Sequence, residues 1–318
     1  MLSYEDLCRH PSAFPDLTGL RHAEFDALAA RFERAERALR SASELTRQGK
    51  PRTRAPGAGA PPDHSARSRL LMALFWLRTY PTYPTYAVLG FFFDLHKRNA
   101  QPNVRAALAV LDAMGDFPFD RPAADRPKAR SAAAVMAAFP GVRVIVDGKE
   151  QRCNRPEGFE AQKPYDSGKK KCHTLKCQVV VDPTGAIETV GDSVPGGANH
   201  DITVLRSSGV LETLHPGEGA MLDKGYVGIG KTHPGVPVVI PHKASRGGPL
   251  TDEQKEANRV IARHRVVVEH AMAQLNRFTV LWQVFRAQKR GAHSRVVRVV
   301  AGLVNRRMAV RPLKSNAA

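Results

Sequence analysis

At residue 142 the chain changes its periodicity. Before that point apolar residues recur at helical spacing; after it come short β-branched runs closed by turn signals, and then one long amphipathic helix. VRVIVD (142–147) is the first run and closes on Asp147-Gly148, a turn signal. HTLKCQVVVD and AIETVGDS flank Asp182-Pro183-Thr184-Gly185 and predict a hairpin. GAMLD is a brief strand that ends on Asp223, and VPVVIP a fuller one. Before them Asp201 starts a short helix through ITVLRSSG. Residues 251–278 then carry Val260, His264, Val267, Ala271, Leu275 and Phe278 on one helical stripe, with Thr251, Glu253 and Gln254 as the start signal. Strands first and a long helix last predict an α/β core built on a mixed sheet.

The first part of the chain is helical in pattern. Leu17, Leu20, Phe25, Leu28 and Phe32 predict a helix over 17–43, and a Pro-, Gly- and Arg-rich stretch at 47–64 predicts a loop. Ser65 caps a helix through ARSRLLMALFWLRTY, which Pro81 and Pro84 break. A short apolar helix near 86–93 and a longer one through LHKRNAQPNVRAALAVLDAM complete a helical unit at about 65–113, with the short-helix, turn, long-helix layout of a helix-turn-helix. Residues 114–140 read as irregular or partly helical. The predicted organisation is a helical region over 1–120 and an α/β domain over 140–312.

Charge narrows the partners. The 318 residues hold 48 Lys and Arg against 30 Asp and Glu, a net charge of +18. Such an excess calls for a polyanion, nucleic acid before an anionic membrane. Residues 270–318 contain ten Lys or Arg and no acid, which predicts a phosphate-binding surface in the tail. No apolar run reaches membrane-spanning length, and the N-terminus lacks the basic and apolar regions of a signal peptide. A cytoplasmic, nucleoid-associated protein is the expectation. Cys8, Cys153, Cys172 and Cys177 are too few for a disulfide scaffold, and Cys172, His173 and Cys177 lack zinc-finger spacing, so buried or incidental thiols are expected.

Three acids stand at positions where chemistry is done. Asp147 and Asp223 end apolar strands, and Glu269 lies in the long helix amid VVVEHAM. Carboxylates beside apolar segments are costly unless paired or metal-bound. Hard oxygen ligands on strand ends and one helix suit Mg²⁺ and phosphoryl transfer. Each acid also has an ordinary explanation: Asp147-Gly148 and Asp223-Lys224-Gly225 as turns, and Glu269 as a helical partner of Arg265.

The order of IVDGKEQRCNRP, YDSGKKKCHTLKCQVVVDPTGAIETV, PGGANHDITVLRSSG, MLDKGY and RHRVVVEHAMAQLNRF resembles the catalytic domain of bacterial insertion-sequence transposases of the DDE superfamily, with Harbinger-type elements as eukaryotic relatives. The likeness covers about 142–310, with a fainter one at 65–113. It implies an RNase H-like fold, and Asp147, Asp223 and Glu269 as the catalytic and metal-binding set, with Mg²⁺ or Mn²⁺ as two ions. His200 and Asp201 match a further family pair, read here as supporting and best explained as a helix cap; Arg265 matches the arginine before the glutamate. Lys149, the longer loop PGGANHD and His270 depart from the family pattern.

The resemblance also implies the reaction: hydrolysis of a phosphodiester at element ends, then attack of the freed 3′-OH on target DNA. Double-stranded DNA and a homo-oligomeric active complex follow from it. Lys169, Lys170, Lys171 and Lys176 are candidate phosphate contacts near the site. Arg78, Lys97, Arg98 and Arg105 are candidates on the helix-turn-helix. The alternatives are an inactive or recruited DNA-binding protein, and a DDE nuclease without strand transfer.

Overall fold

The computed structural model describes residues 2–42, 64–79, 84–114, 129–244, 248–287, 289 and 291–310. The chain divides into two compact units, one of residues 1–118 with 277–280, the other of residues 119–276 with 281–318.

The first unit is helical: α1 (Tyr4–Arg9), α2 (Ala13–Thr18), α3 (His22–Ala42), α4 (Ala66–Arg78), α5 (Tyr86–Phe93) and α6 (Lys97–Ala113). The single helix expected over 17–43 is two, because the chain leaves α2 through Gly19 at φ 80°, a left-handed conformation that breaks the helical path. Helix α4 is the centre of the unit. Residues 70–77 are all buried, so this helix is apolar on every side. Its N-cap Ser65 accepts from the Ser68 N–H, and its one buried charge, Arg69, donates through Nε to Glu36 of α3 at 3.0 Å. Between α5 and α6 the chain turns at Asp94 in the left-handed region, and His96 caps α6 through Nδ1 on the Arg98 N–H. Most of the predicted 47–64 loop, Pro81 in the α4–α5 connection, and residues 115–128 of the expected irregular stretch lie outside the described residues.

The second unit contains α7 (Ala129–Ala138), β1 (Val142–Arg152), α8 (Phe159–Gln162), β2 (Asp166–Ser167), β3 (Cys172–Val181), β4 (Ile187–Val190), β5 (Val194–Pro195), α9 (Asp201–Ser208), β6 (Gly219–Met221), β7 (Val238–Val239), α10 (Asp252–Leu275) and α11 (Ala292–Val310). Its mixed sheet has the order β2-β3-β1-β6-β7, with β4 and β5 also paired to β3. Strand β1 is antiparallel to β3 and parallel to β6. The mixed α/β core predicted from the strand-then-helix order is present, and this curled mixed sheet with its helices is consistent with an RNase H-like domain.

Alternation along β1 sorts its side chains to two faces. Val144 and Val146 join Val180, Leu205 of α9 and Tyr226 in one core. Asp147, Lys149 and Gln151 share the other face. There the buried Lys149 donates to Asn276 at the end of α10 at 2.6 Å, and Gln151 meets His293 of α11 at 2.9 Å.

Several sequence expectations are corrected. Strand β1 does not end at Asp147-Gly148; it runs eleven residues to Arg152, because β3 pairs with it without interruption from Ile145 to Arg152. AIETVGDS contributes only β4, with the two-residue β5 following it, and VPVVIP contributes only Val238–Val239. The predicted 251–278 helix ends at Leu275, and Phe278 is buried with the first unit against Gly19. Its start is as read: Thr251 and Gln254 form a full capping box. Within the basic tail, Ala292–Val310 form α11, a core helix. Val296, Val297, Val299, Val300 and Val304 are buried; Arg295, Arg298, Arg306 and Arg307 are half-buried, with Arg298 paired to Asp192 at 3.2 Å. Apolar spacing, not charge count, decides where this helix lies.

Candidate active site

Strand β6 pairs with β1 only as far as Ile145↔Met221. Beyond that point β1 continues along β3, with Asp147 opposite Val179, while the chain after β6 turns into a short 3-10 segment, Lys224–Tyr226, with Asp223 at its N-cap position. Asp147 and Asp223 each lie two residues past the paired positions, so the parallel register sets them side by side on one face where the strands part.

Arg265, from α10, joins the two. Its Nη1 donates to Asp223 Oδ1 at 3.0 Å, and its Nη2 is 3.7 Å from Asp147 Oδ1. The arginine side chain is 11% exposed, that of Asp147 28% and that of Asp223 48%, so the group is open to solvent mainly at Asp223. Burial pushes the Asp147 carboxyl above its ordinary value; Arg265 and the Gly148 N–H pull it down, and the charges of Asp223 and Asp201 push it up again.

The other predicted residues fall in different places. Glu269 lies one turn after Arg265 on α10 and is exposed. It does not pair with Arg265, whose guanidinium goes to the two aspartates. Lys169, Lys170 and Lys171 form the exposed tip between β2 and β3, where the Lys171 N–H returns to the Ser167 carbonyl and Lys171 takes φ 53°. Lys176 is apart from them: its side chain is 12% exposed, and its Nζ is 3.1 Å from Asp201 Oδ1 and 3.0 Å from the Asn199 carbonyl. In the first unit, Lys97 and Arg98 are exposed in the first turn of α6, and Arg105 is exposed two turns on. Arg78 closes α4 and donates to the Arg277 carbonyl.

The capping reading of His200-Asp201 needs correction. His200 occupies the N-cap of α9 without a side-chain cap bond, and Asp201 is the first residue inside the helix. Its carboxylate faces Gly148 and Gly225: a Cβ on either would stand 3.0 Å from Oδ1 or 3.2 Å from Oδ2. Tyr226 is a further residue that sequence reasoning did not single out, although it stands in the quoted MLDKGY. Its ring is 1% exposed and packs in the core, and its hydroxyl reaches the same place, 3.7 Å from the Cβ position over Gly148.

The donor set suits a divalent cation of the Mg²⁺ class. Among the described residues no three His, Cys, Asp or Glu side chains are gathered around one point. Mg²⁺ does not require that, since it is commonly held by one or two carboxylates together with water and substrate phosphate. Asp147, inside β1, and Asp223, two residues past β6, could offer two hard oxygen ligands, and they already share one cationic group. Among the described residues no helix is long and apolar enough to cross a membrane.

Comparison with known proteins places the second unit in a known family. A family model described as DDE superfamily endonuclease matches residues 146–305, from β1 through most of α11. A relative named as the probable transposase for insertion sequence element IS702, from Microchaete diplosiphon, is 36% identical over 173 residues, covering 53% of this chain. The chain spans 58% of that relative's length. No solved structure matches the chain.

Proposed function

Because this chain belongs to the DDE superfamily endonucleases, we propose that it is a DNA transposase, which hydrolyses a phosphodiester at the ends of its element and then joins the freed 3′-OH to target DNA. The observation that carries this reading is the pairing of Asp147 with Asp223 where β6 parts from β1, with one arginine between them. Strong local acidity in a chain of net charge +18 is what a metal-dependent enzyme acting on a polyanion requires.

Asp147 and Asp223 are the residues to hold Mg²⁺ or Mn²⁺, with Glu269 of α10 as the third carboxylate. Two such ions, when bound, supply a lowered pKa for the attacking hydroxyl and charge stabilisation for the leaving oxygen. The protein's own groups do the rest. The sheet fixes the two aspartates, so little rearrangement precedes reaction. Arg265 balances their charge and is placed to meet a phosphate as it arrives. Lys169, Lys170 and Lys171 stand free in solvent to take backbone phosphates along the duplex. No Ser, Tyr or Cys nucleophile is invoked.

The helical unit is assigned to binding of the element ends. Its α5–α6 pair has a short helix, a tight turn and a longer helix, with Lys97, Arg98 and Arg105 exposed on the second. Two ends must be held together for strand transfer, so the active complex is a homo-oligomer on double-stranded DNA.

The test is cleavage of the element's own end sequence with Mg²⁺ and with EDTA, by wild type and by Asp147→Ala. Metal-dependent nicking that disappears in the variant is the expected result. DNA binding without nicking in both proteins, in Mn²⁺ as well, would replace this reading with that of a DNA-binding regulator.

A further inference from the structure

We propose that Lys149 is a positioning residue for the cleavage centre: it ties the end of α10 to β1 and so sets where Arg265 and Glu269 stand relative to Asp147. The inference rests on the metal-dependent reading above and adds to it a residue that acts through another.

Lys149 is a cation without a counter-ion. It follows Asp147 by two residues on the same face of β1 and is only 7% exposed. Its Nζ donates to Asn276 Oδ1 at 2.6 Å, and among the described residues no carboxylate pairs with it. Its other polar neighbours are neutral. Cys177 is directly opposite on β3, and burial pushes its thiol up to about 11. The His293 imidazole is held down at about 3. A buried, uncompensated ammonium costs folding free energy, and an apolar side chain of similar length would not. Stability therefore does not account for a lysine here, and its directional bond to Asn276 does.

That bond joins two elements of the site. Asn276 is the C-cap of α10, and Arg265 lies eleven residues earlier (276 − 265) on the same helix. Eleven residues are close to three turns, so both face one side of it, about 16 Å apart along the axis. Glu269 stands between them, four residues from Arg265 (269 − 265) and seven from Asn276 (276 − 269), spacings that return to that side. Strand β1 therefore meets one side of α10 at two points, Asp147 at Arg265, 3.7 Å away, and Lys149 at Asn276.

Packing alone does not set this alignment. Val268, Ala271 and Leu275 are buried and hold α10 in place, but apolar contact is non-directional. Two polar contacts on one rigid helix fix its rotation and its position along the axis. The contact at Arg265 is made to the acids themselves, which a bound cation would also engage. The contact at Asn276 is independent of them. Gln151, two residues further along the same face, donates to the Gln283 carbonyl at 2.7 Å and holds the chain beyond the helix. Lys149 is also one of the positions where the chain departs from the family pattern, so the resemblance does not supply its role.

The experiment measures kcat and KM for cleavage of the element-end duplex by the full chain in Mg²⁺, for wild type, Lys149→Met, Asn276→Leu, Asn276→Asp and the Lys149→Met/Asn276→Leu double variant, with thermal unfolding in EDTA alongside. Lys149→Met is expected to lower kcat about a hundredfold, the scale of a misplacement of about 1 Å, and to leave KM unchanged. Its unfolding temperature is expected to stay level or rise, because a buried charge is gone. Asn276→Leu is expected to match it in kcat, and the double variant to be no worse than either single one. Asn276→Asp keeps the acceptor and is expected to cleave as wild type does. A Lys149→Met protein with wild-type kcat overturns the proposal. A loss of cleavage that tracks a fall in unfolding temperature, or that Asn276→Asp shares, also overturns it, since either marks a lysine that serves the fold alone. Should Lys149→Met unfold, Asn276→Leu decides, because Asn276 is exposed at the helix end: wild-type kcat in that variant overturns the proposal. If wild type itself cleaves in neither Mg²⁺ nor Mn²⁺, the metal-dependent reading fails and this proposal with it.

Discussion

The Arg265 guanidinium donates to Asp223 at 3.0 Å and stands 3.7 Å from Asp147, so one side chain of α10 balances two acids, one within β1 and one just past β6. Arg265→Ala leaves both acids uncompensated. Asp223 is about half exposed, so solvent screens part of the loss and the cost in stability is about 1 kcal/mol. Mg²⁺ offsets like-charge repulsion, so it is expected to raise the unfolding temperature of the variant more than that of wild type. Thermal unfolding of both proteins in Mg²⁺ and in EDTA checks this. An equal response to Mg²⁺ would mean that the arginine and the ion do not act on the same charge.

Asp147 is costly to the metal-free fold. Its folded pKa is raised above the ordinary 3.8, chiefly by burial. The stability linked to such a group is fully present below the ordinary value and is lost as pH rises through the raised folded value. Asp147→Asn removes the loss. At neutral pH in EDTA the variant is expected to unfold at the same temperature as wild type or higher, with the difference closing as the pH approaches 3.8. Cleavage is expected to vanish in the same variant. A variant that is less stable than wild type at neutral pH would show that Asp147 does more for packing than its charge costs.

His293 works in the opposite direction. It is buried under β1 with Ser193 Oγ 2.6 Å from Nδ1 and Gln151 Oε1 2.9 Å from Nε2. Burial, then the nearby Lys149 ammonium, pushes its pKa from 6.5 down to about 3. The unfolded chain takes up a proton near 6.5 that the folded chain refuses, so this contribution is present above 6.5 and lost as pH falls toward about 3. His293→Gln is expected to lower stability at neutral pH and to flatten the decline between neutral pH and about 4.5. Urea midpoints across that range read the slope, and parallel slopes in the two proteins would remove His293 as the cause.

These acids and bases mark how far the residues alone reveal the site. The strand runs were legible because β-branched residues cluster in them, and Thr251 with Gln254 announced α10 through local chemistry. Asp147-Gly148 was misleading for a physical reason. Asp-Gly is ordinarily turn chemistry, whereas here the glycine clears room for Asp201, 53 positions later (201 − 148). Lys176 looked like one more member of a lysine run, yet it lies on β3 and pairs inward with Asp201. Tyr226 shows its importance only once α9 covers it. Each of these depends on contacts between distant segments, which periodicity and spacing do not encode.

Asn305 tests how α11 is fastened to the sheet. Its Oδ1 accepts from the Ile187 N–H at 2.9 Å, and its Nδ2 donates to the Ile187 carbonyl at 2.7 Å, with the side chain fully buried. The amide thus behaves as one more strand pairing to β4. Asn305→Ala leaves both backbone groups of Ile187 without these partners, at roughly 1–3 kcal/mol each. Chemical denaturation is expected to show a loss of about 2–4 kcal/mol. A loss no larger than that of a surface substitution would mean that water replaces the amide.

The lysines separate the phosphate contacts from the scaffold. Lys169, Lys170 and Lys171 are exposed at the tip between β2 and β3, whereas Lys176 is held inward by Asp201. Each phosphate contact releases counterions and adds about 0.9 to the slope of log affinity against log salt on duplex DNA. Alanine at each of the three tip lysines is therefore expected to lower that slope by about 0.9 and to weaken binding to all DNA sequences alike. Lys176→Met is expected to leave the slope unchanged and to lower the unfolding temperature, because it breaks a largely buried ion pair. Arg98→Ala, on α6, is expected to weaken binding to element ends more than to unrelated duplex if that helix reads bases. Fluorescence anisotropy over a salt series, on an element-end duplex and on a scrambled one, measures all of these. A triple tip variant with the wild-type slope would show that the hairpin does not touch DNA, and would leave the grip on the substrate to the cleft and the helical unit.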